Sequence, residues 1–96
     1  MSPEYRHLRS LDMDDLIVMK SLLNGIPPGK IAKSLGLTPP AISHRQRKYR
    51  EAFPGFFDID QKTGIKNLSK LGREISKRAE KALKILSDAT PEDRHV

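Results

Sequence analysis

Apolar residues recur at helical spacing in most of this chain and alternate in one short stretch. Leu16, Met19 and Leu23, widened by Val18 and Leu22, form a stripe that predicts a helix over about 11–24. Asp12, or Ser10 before it, is placed to cap its free N–H groups, and Asp14 and Asp15 lie near the positive end of its dipole. Gly25 is a natural stop. Ile31, Ala32 and Leu35 predict a short second helix over 28–35, opened by Pro27-Pro28 and closed by Gly36. Leu37 is expected to be buried and Thr38 to cap a third helix. Pro39 and Pro40 then occupy its first turn, where a missing N–H costs nothing. Ile42, Tyr49 and Phe53 share one face of that helix up to about Phe53, where Pro54-Gly55 ends it. The period then changes. Phe57 and Ile59 alternate with Asp58 and Asp60, and Ile65 and Leu68 follow the turn at 61–64, which predicts a two-stranded hairpin. Ser69 opens a last helix over 69–88. Its positions Leu71, Ile75, Ala79, Ala82, Leu86 and Ala89 approximate a heptad seam. Residues 1–10 read as a loose arm and 90–96 as a flexible tail.

The polar positions of the third helix change this picture. Pro40, His44, Arg47, Lys48 and Glu51 fall opposite its apolar face, with Ser43 at the edge. The chain carries a net charge of +6, with a pI near 9.8. From Thr38 to Phe57 four cations (Arg45, Arg47, Lys48, Arg50) stand against one acid, Glu51, whereas residues 1–37 are nearly balanced. Two helices joined by a tight turn, the second with an apolar back and a cationic front, form a helix-turn-helix. Such a helix fits the major groove of DNA, its first turn reaching base edges and its cations neutralising phosphates. The blander alternative is a helical bundle with a solvated basic face.

Other chemistries find little support. The 96 residues suit one domain with a modest core. There is no cysteine, so disulfides and thiolate metal sites are excluded, and His7, His44 and His95 show no metal-ligand spacing. No apolar run approaches the roughly 20 residues that span a bilayer, and the stretch MSPEYRHLRSLDMDD is too polar for a secretory signal. GIPPGK at 25–30 has one residue too few for a phosphate-binding loop, and Ile31 stands where a hydroxyl would hold magnesium. No paired carboxylates or Ser/His/Asp set is discernible, and His44 reads as a groove contact rather than a catalytic base. The expectation is a non-enzyme without metal, cofactor or evident small-molecule ligand, located in the cytoplasm with the nucleoid.

IAKSLGLTPPAISHRQRKYREAF at 31–53 resembles the recognition segment of LysR-type transcription regulators, with PAIS at 40–43 the closest local match. The likeness continues through FFDIDQKTGIKNLSKLGREISKRAEKAL, where LSKLG at 68–72 is similar to the start of the family's linker helix. It covers about 11–89 and does not extend to an effector-binding domain. The resemblance implies a mainly α fold: a winged helix-turn-helix over 11–68 with a small β wing, and a linker and dimerisation helix over 69–89. It also implies a sequence-specific transcription regulator that binds double-stranded DNA as a homodimer. Thr38, Pro39, Pro40, Ser43, His44 and Arg47 are the expected groove contacts. Arg45, Lys48 and Arg50 are expected on phosphates, joined by Lys62 and Lys66 of the wing and by Lys30 at a helix N-terminus. Leu71, Ile75, Ala79, Ala82 and Leu86 are the expected dimer seam. Four positions depart from the family. Gln46 replaces an apolar residue on the core side, Tyr49-Arg50 replaces Leu-Glu, and Pro39 replaces a glutamine. LLNGIPPGKIAKSLGL also looks like LuxR-type output domains, which lack a wing, and a winged helix that binds protein instead of DNA is the rival from another class.

Overall fold

The computed structural model describes the backbone of residues 11–95 and the side chains of residues 11–88. The arm expected at 1–10, with Ser10 as alternative cap, lies outside the described residues. Helix α1 (Met13–Leu23) starts at Asp12, which is extended and accepts from the Asp15 N–H at 2.9 Å. Asp15 accepts in return from the Asp12 N–H at 2.9 Å, closing a capping box. Gly25, at φ 77°, turns the chain away after Asn24. Helix α2 (Pro28–Leu35) opens on Pro27 and Pro28 and closes at left-handed Gly36, with the Leu37 N–H returning to the Ala32 carbonyl at 2.8 Å. Thr38 Oγ1 then accepts from the Ala41 N–H at 3.3 Å and starts helix α3 (Pro39–Ala52). The two prolines therefore mark the beginning of α3. Phe53, expected as its last residue, has already left helical geometry.

Strands β1 (Phe57–Ile59) and β2 (Lys66–Leu68) pair antiparallel, with Phe57 opposite Leu68 and Ile59 opposite Lys66. Asp60 holds the connecting turn: its carboxylate accepts from the N–H groups of Lys62 at 2.8 Å and Thr63 at 3.3 Å. Phe57 and Leu68 pack against the core, whereas Ile59 and Ile65 are exposed. Among the described residues the chain is thus mainly helical, with four helices and one small antiparallel sheet.

Helix α4 (Lys70–His95) runs past its expected end at 88 and takes in most of the segment read as a tail. Extending an existing helix is easier than nucleating one, so the backbone stays helical through this polar stretch, Pro91 included, although a proline forgoes one hydrogen bond. Its start is tied tightly to the chain before β1. The Ser69 hydroxyl reaches the carbonyls of Gly55 and Phe56 and accepts from the Gly72 N–H at 3.0 Å. A Cβ on Gly72 would stand 2.2 Å from the Phe56 carbonyl oxygen, so only glycine permits this approach. The sequence pattern Ser69-x-x-Gly72 is therefore a backbone joint.

Val18, Met19, Ile31, Ala32, Ile42, Tyr49, Phe56 and Ala79 form the core. Phe56 sits among three rings, 4.9 Å from Phe57 edge-on, 5.7 Å from Tyr49 and 6.1 Å from Phe53. Each large apolar side chain buried here contributes about 1.5–3 kcal/mol. The expected dimer seam is divided by this core. Ala79 belongs to it, Ile75 packs against it and Ala82 is half-buried, while Leu71 is 43% and Leu86 44% exposed. The division has a geometric cause: α4 packs along α1, and that contact consumes the middle of the stripe.

Candidate nucleic-acid interface

Helix α3 has a buried back, an exposed front and a flank that faces α1. Ile42, Gln46, Tyr49 and Ala52 are buried. Ser43, His44, Arg47, Arg50 and Glu51 are exposed. Pro39, Pro40, Ser43, His44 and Arg47 line one open depression of about 530 Å³. Five of the six expected groove contacts are thus brought together by the first two turns of one helix. Thr38, the sixth, spends an oxygen lone pair on the cap. Lys30 and Arg50 are exposed, Arg50 on the same helix, but neither lines the depression.

The flank gives two of the expected contacts partners within the protein. Arg45 and Lys48, expected on phosphates, are bound to a carboxylate inside the protein. Asp15 of α1 is fully buried. Its Oδ1 accepts from Arg45 Nη1 at 2.8 Å and from the Tyr49 hydroxyl at 2.6 Å. Its Oδ2 accepts from Lys48 Nζ at 2.6 Å and from the Asp12 N–H at 2.9 Å. Four donors meet the roughly four acceptor sites of a carboxylate. Arg45 also reaches Asp12 at 2.9 Å and stands 3.8 Å from Asp14. Arg45, Lys48 and Tyr49 are spaced i, i+3, i+4, which puts all three on the flank turned toward α1. That spacing was visible in the sequence; the acid opposite it, on another helix, was not.

The electrostatics follow from this geometry. Burial alone pushes the Asp15 pKa up, but the donors, Lys48 and Tyr49 foremost, outweigh it and hold the group down at about 2. Burial works against the Arg45 charge, yet its bonds to Asp12 and Asp15 raise its pKa above the ordinary value. Burial, reinforced by the Asp15 carboxylate, pushes the Tyr49 hydroxyl up, so it remains a donor. Acids and bases thus face one another across the α1–α3 contact, and Tyr49 completes the shell of donors around Asp15.

The hairpin supplies two further expected contacts. Lys62 is exposed in the turn, its backbone N–H engaged with Asp60. Lys66 leans back onto the protein. Its Nζ donates to Gln46 Oε1 at 3.3 Å and lies 5.7 Å from the centre of the Phe57 ring. This accounts for Gln46, the polar residue on the core side. It is buried, and its oxygen is satisfied from the hairpin. Among the described residues no group of three His, Asp or Glu side chains is placed to hold a metal ion, and no helix is long and apolar enough to cross a membrane.

No family model, no curated protein and no solved structure matches this chain. The functional reading therefore rests on residues and geometry.

Proposed function

We propose that the protein is a winged helix-turn-helix that binds double-stranded DNA in a sequence-specific manner and regulates transcription as a cytoplasmic homodimer. In this reading α2 and α3 are the helix-turn-helix, α3 enters the major groove and the hairpin is the wing. The observation that carries it is the front of α3. Pro39, Pro40, Ser43, His44 and Arg47 stand together in the open, at the start of a helix whose opposite side is locked into the core. A helix start with small and polar side chains admits close approach to base edges, and Arg47 suits a bidentate contact to guanine. Arg50, Lys30 and Lys62 are exposed cations available to phosphates. Lys66 is better suited to holding the wing against α3 than to reaching outward. The hairpin favours this reading over a LuxR-type domain.

Dimerisation draws on the surface left over by the core. Leu71 and Ile85 remain exposed on α4, and an apolar groove of about 400 Å³ between α1 and α4 is lined by Leu11, Leu16, Phe53, Leu71 and Ile75. Pairing along α4 removes such surface from water at about 25 cal/mol per Å² and places two recognition helices about a two-fold axis. Selection of bound duplexes from a random pool tests the whole reading. An inverted-repeat consensus with strongly salt-dependent affinity is expected. Absence of enrichment would refute sequence-specific binding, and a single non-repeated half-site would refute the dimer.

A further inference from the structure

The cations of α3 belong to two populations. Arg47 and Arg50 are exposed, whereas Arg45 and Lys48 are held by a buried carboxylate of α1. Three acids (Asp12, Asp14, Asp15) surround these two cations, so their charge is already neutralised within the protein. A cation neutralised in this way releases no counterions from DNA.

The same bonds fix an angle. The apolar back of α3 places the helix against the core, but apolar contact is non-directional and tolerates rotation. Hydrogen bonds are directional. Three side chains on three successive positions of one flank converge on the two oxygens of Asp15. Helix side chains reach about 5–6 Å from the axis, so a roll of about 20° moves a side-chain tip by about 2 Å. That shift exceeds the range over which a base-edge hydrogen bond survives. Whatever sets the roll of α3 thus sets where Ser43, His44 and Arg47 point.

We propose that Asp15 is a positioning residue for recognition. By gripping Arg45, Lys48 and Tyr49 it fixes the roll of α3 and withholds two cations from the phosphates, so that it adds discrimination between sequences at the expense of affinity for DNA in general. The inference rests on the DNA-binding reading above. It predicts an uncommon phenotype: loss of a buried acid raises affinity for arbitrary DNA while lowering preference for the right site.

The test uses the full chain and two duplexes, one selected by the wild type from a random pool and one of random sequence, titrated between about 50 and 200 mM salt. In Asp15→Asn the salt slope on random duplex should steepen by about one unit as the hold on Lys48 is lost, Arg45 keeping its bond to Asp12. The ratio of affinities, selected over random, should fall at least about tenfold. Arg45→Ala keeps Asp15 paired with Lys48 and Tyr49. It should leave the random-duplex slope unchanged while lowering the ratio about fivefold. A merely structural role for the cluster would move stability and leave both readouts in place, which overturns the proposal. So does a slope that drops by about one unit in Arg45→Ala, because Arg45 then touches phosphate. If circular dichroism shows Asp15→Asn unfolded, the Arg45→Ala slope and ratio decide alone. Failure of the wild type to prefer its selected duplex overturns the DNA reading and this inference with it. A wild type that discriminates, with variants that do so equally well, overturns this inference only.

Discussion

Arg45 and Arg47 are two residues apart on one helix and have opposite fates. Arg45 is mostly buried and bonded to two carboxylates of α1; Arg47 is exposed and lines the depression at the front of α3. Their residue type is the same, and so is their helix. What differs is the flank on which the 3.6-residue period places them and what the neighbouring helix presents there. A basic helix is therefore not a uniform electrostatic surface. Part of its charge builds the protein, and only the remainder is available to a partner.

The comparison breaks most severely if the inner flank loses its acceptor. Asp15→Ala leaves the buried Tyr49 hydroxyl without its acceptor and takes the Asp15 carboxylate from Lys48 and Arg45, the latter keeping Asp12, and should cost about 3–5 kcal/mol of stability. Urea unfolding measures this, and a loss below about 1 kcal/mol would show that the cluster is not a structural unit.

Acid attacks the same flank without mutation. The Asp15 pKa is lowered from 3.8 to about 2, so the folded state favours the ionised form. That contribution is fully present above pH 3.8 and is lost as pH falls toward and through 2. It amounts to about 2 kcal/mol. Comparing unfolding at pH 5 and pH 2 in the wild type and in Asp15→Asn isolates it from other carboxylates. The wild type should lose about 2 kcal/mol more than the variant. Tyr49→Phe makes a smaller cut. It keeps the ring against Phe56 and removes one charge-assisted hydrogen bond, for an expected cost of about 1.5–3 kcal/mol, at the lower end because Arg45, Lys48 and Asp12 still satisfy Asp15. An unchanged unfolding midpoint would mean that the hydroxyl contributes nothing.

Elements with local causes were legible in the sequence. Asp12 caps α1, Gly36 ends α2, and Thr38 with Pro39 and Pro40 begins α3, because each of these signals acts within a few residues of itself. The exposed front of α3 was legible for the same reason. The partner of Arg45 and Lys48 was not. Helical periodicity says which residues share a flank, but not which other helix lies against it, and Asp15 is 30 residues from Arg45 and 33 from Lys48. The stripe on α4 was ambiguous in a related way. Spacing that suits a seam between two copies equally suits packing on α1, and Ala79 and Ile75 were taken by the monomer's own core. The length of α4 was missed because the polar stretch 90–96, with Pro91 in it, reads as a stop, whereas the helix runs through Pro91 to His95.

In the proposed function the front of α3, and not its α1-facing flank, meets DNA. Salt-dependent binding to a random duplex by wild type, Arg47→Ala and Arg45→Ala tests it most directly. Expected are tight wild-type binding that weakens steeply with salt, a slope about one unit shallower in Arg47→Ala, and an unaltered slope in Arg45→Ala. The reverse order, with Arg45→Ala shallower and Arg47→Ala unaltered, would contradict it, as would a wild type that binds no DNA at low salt.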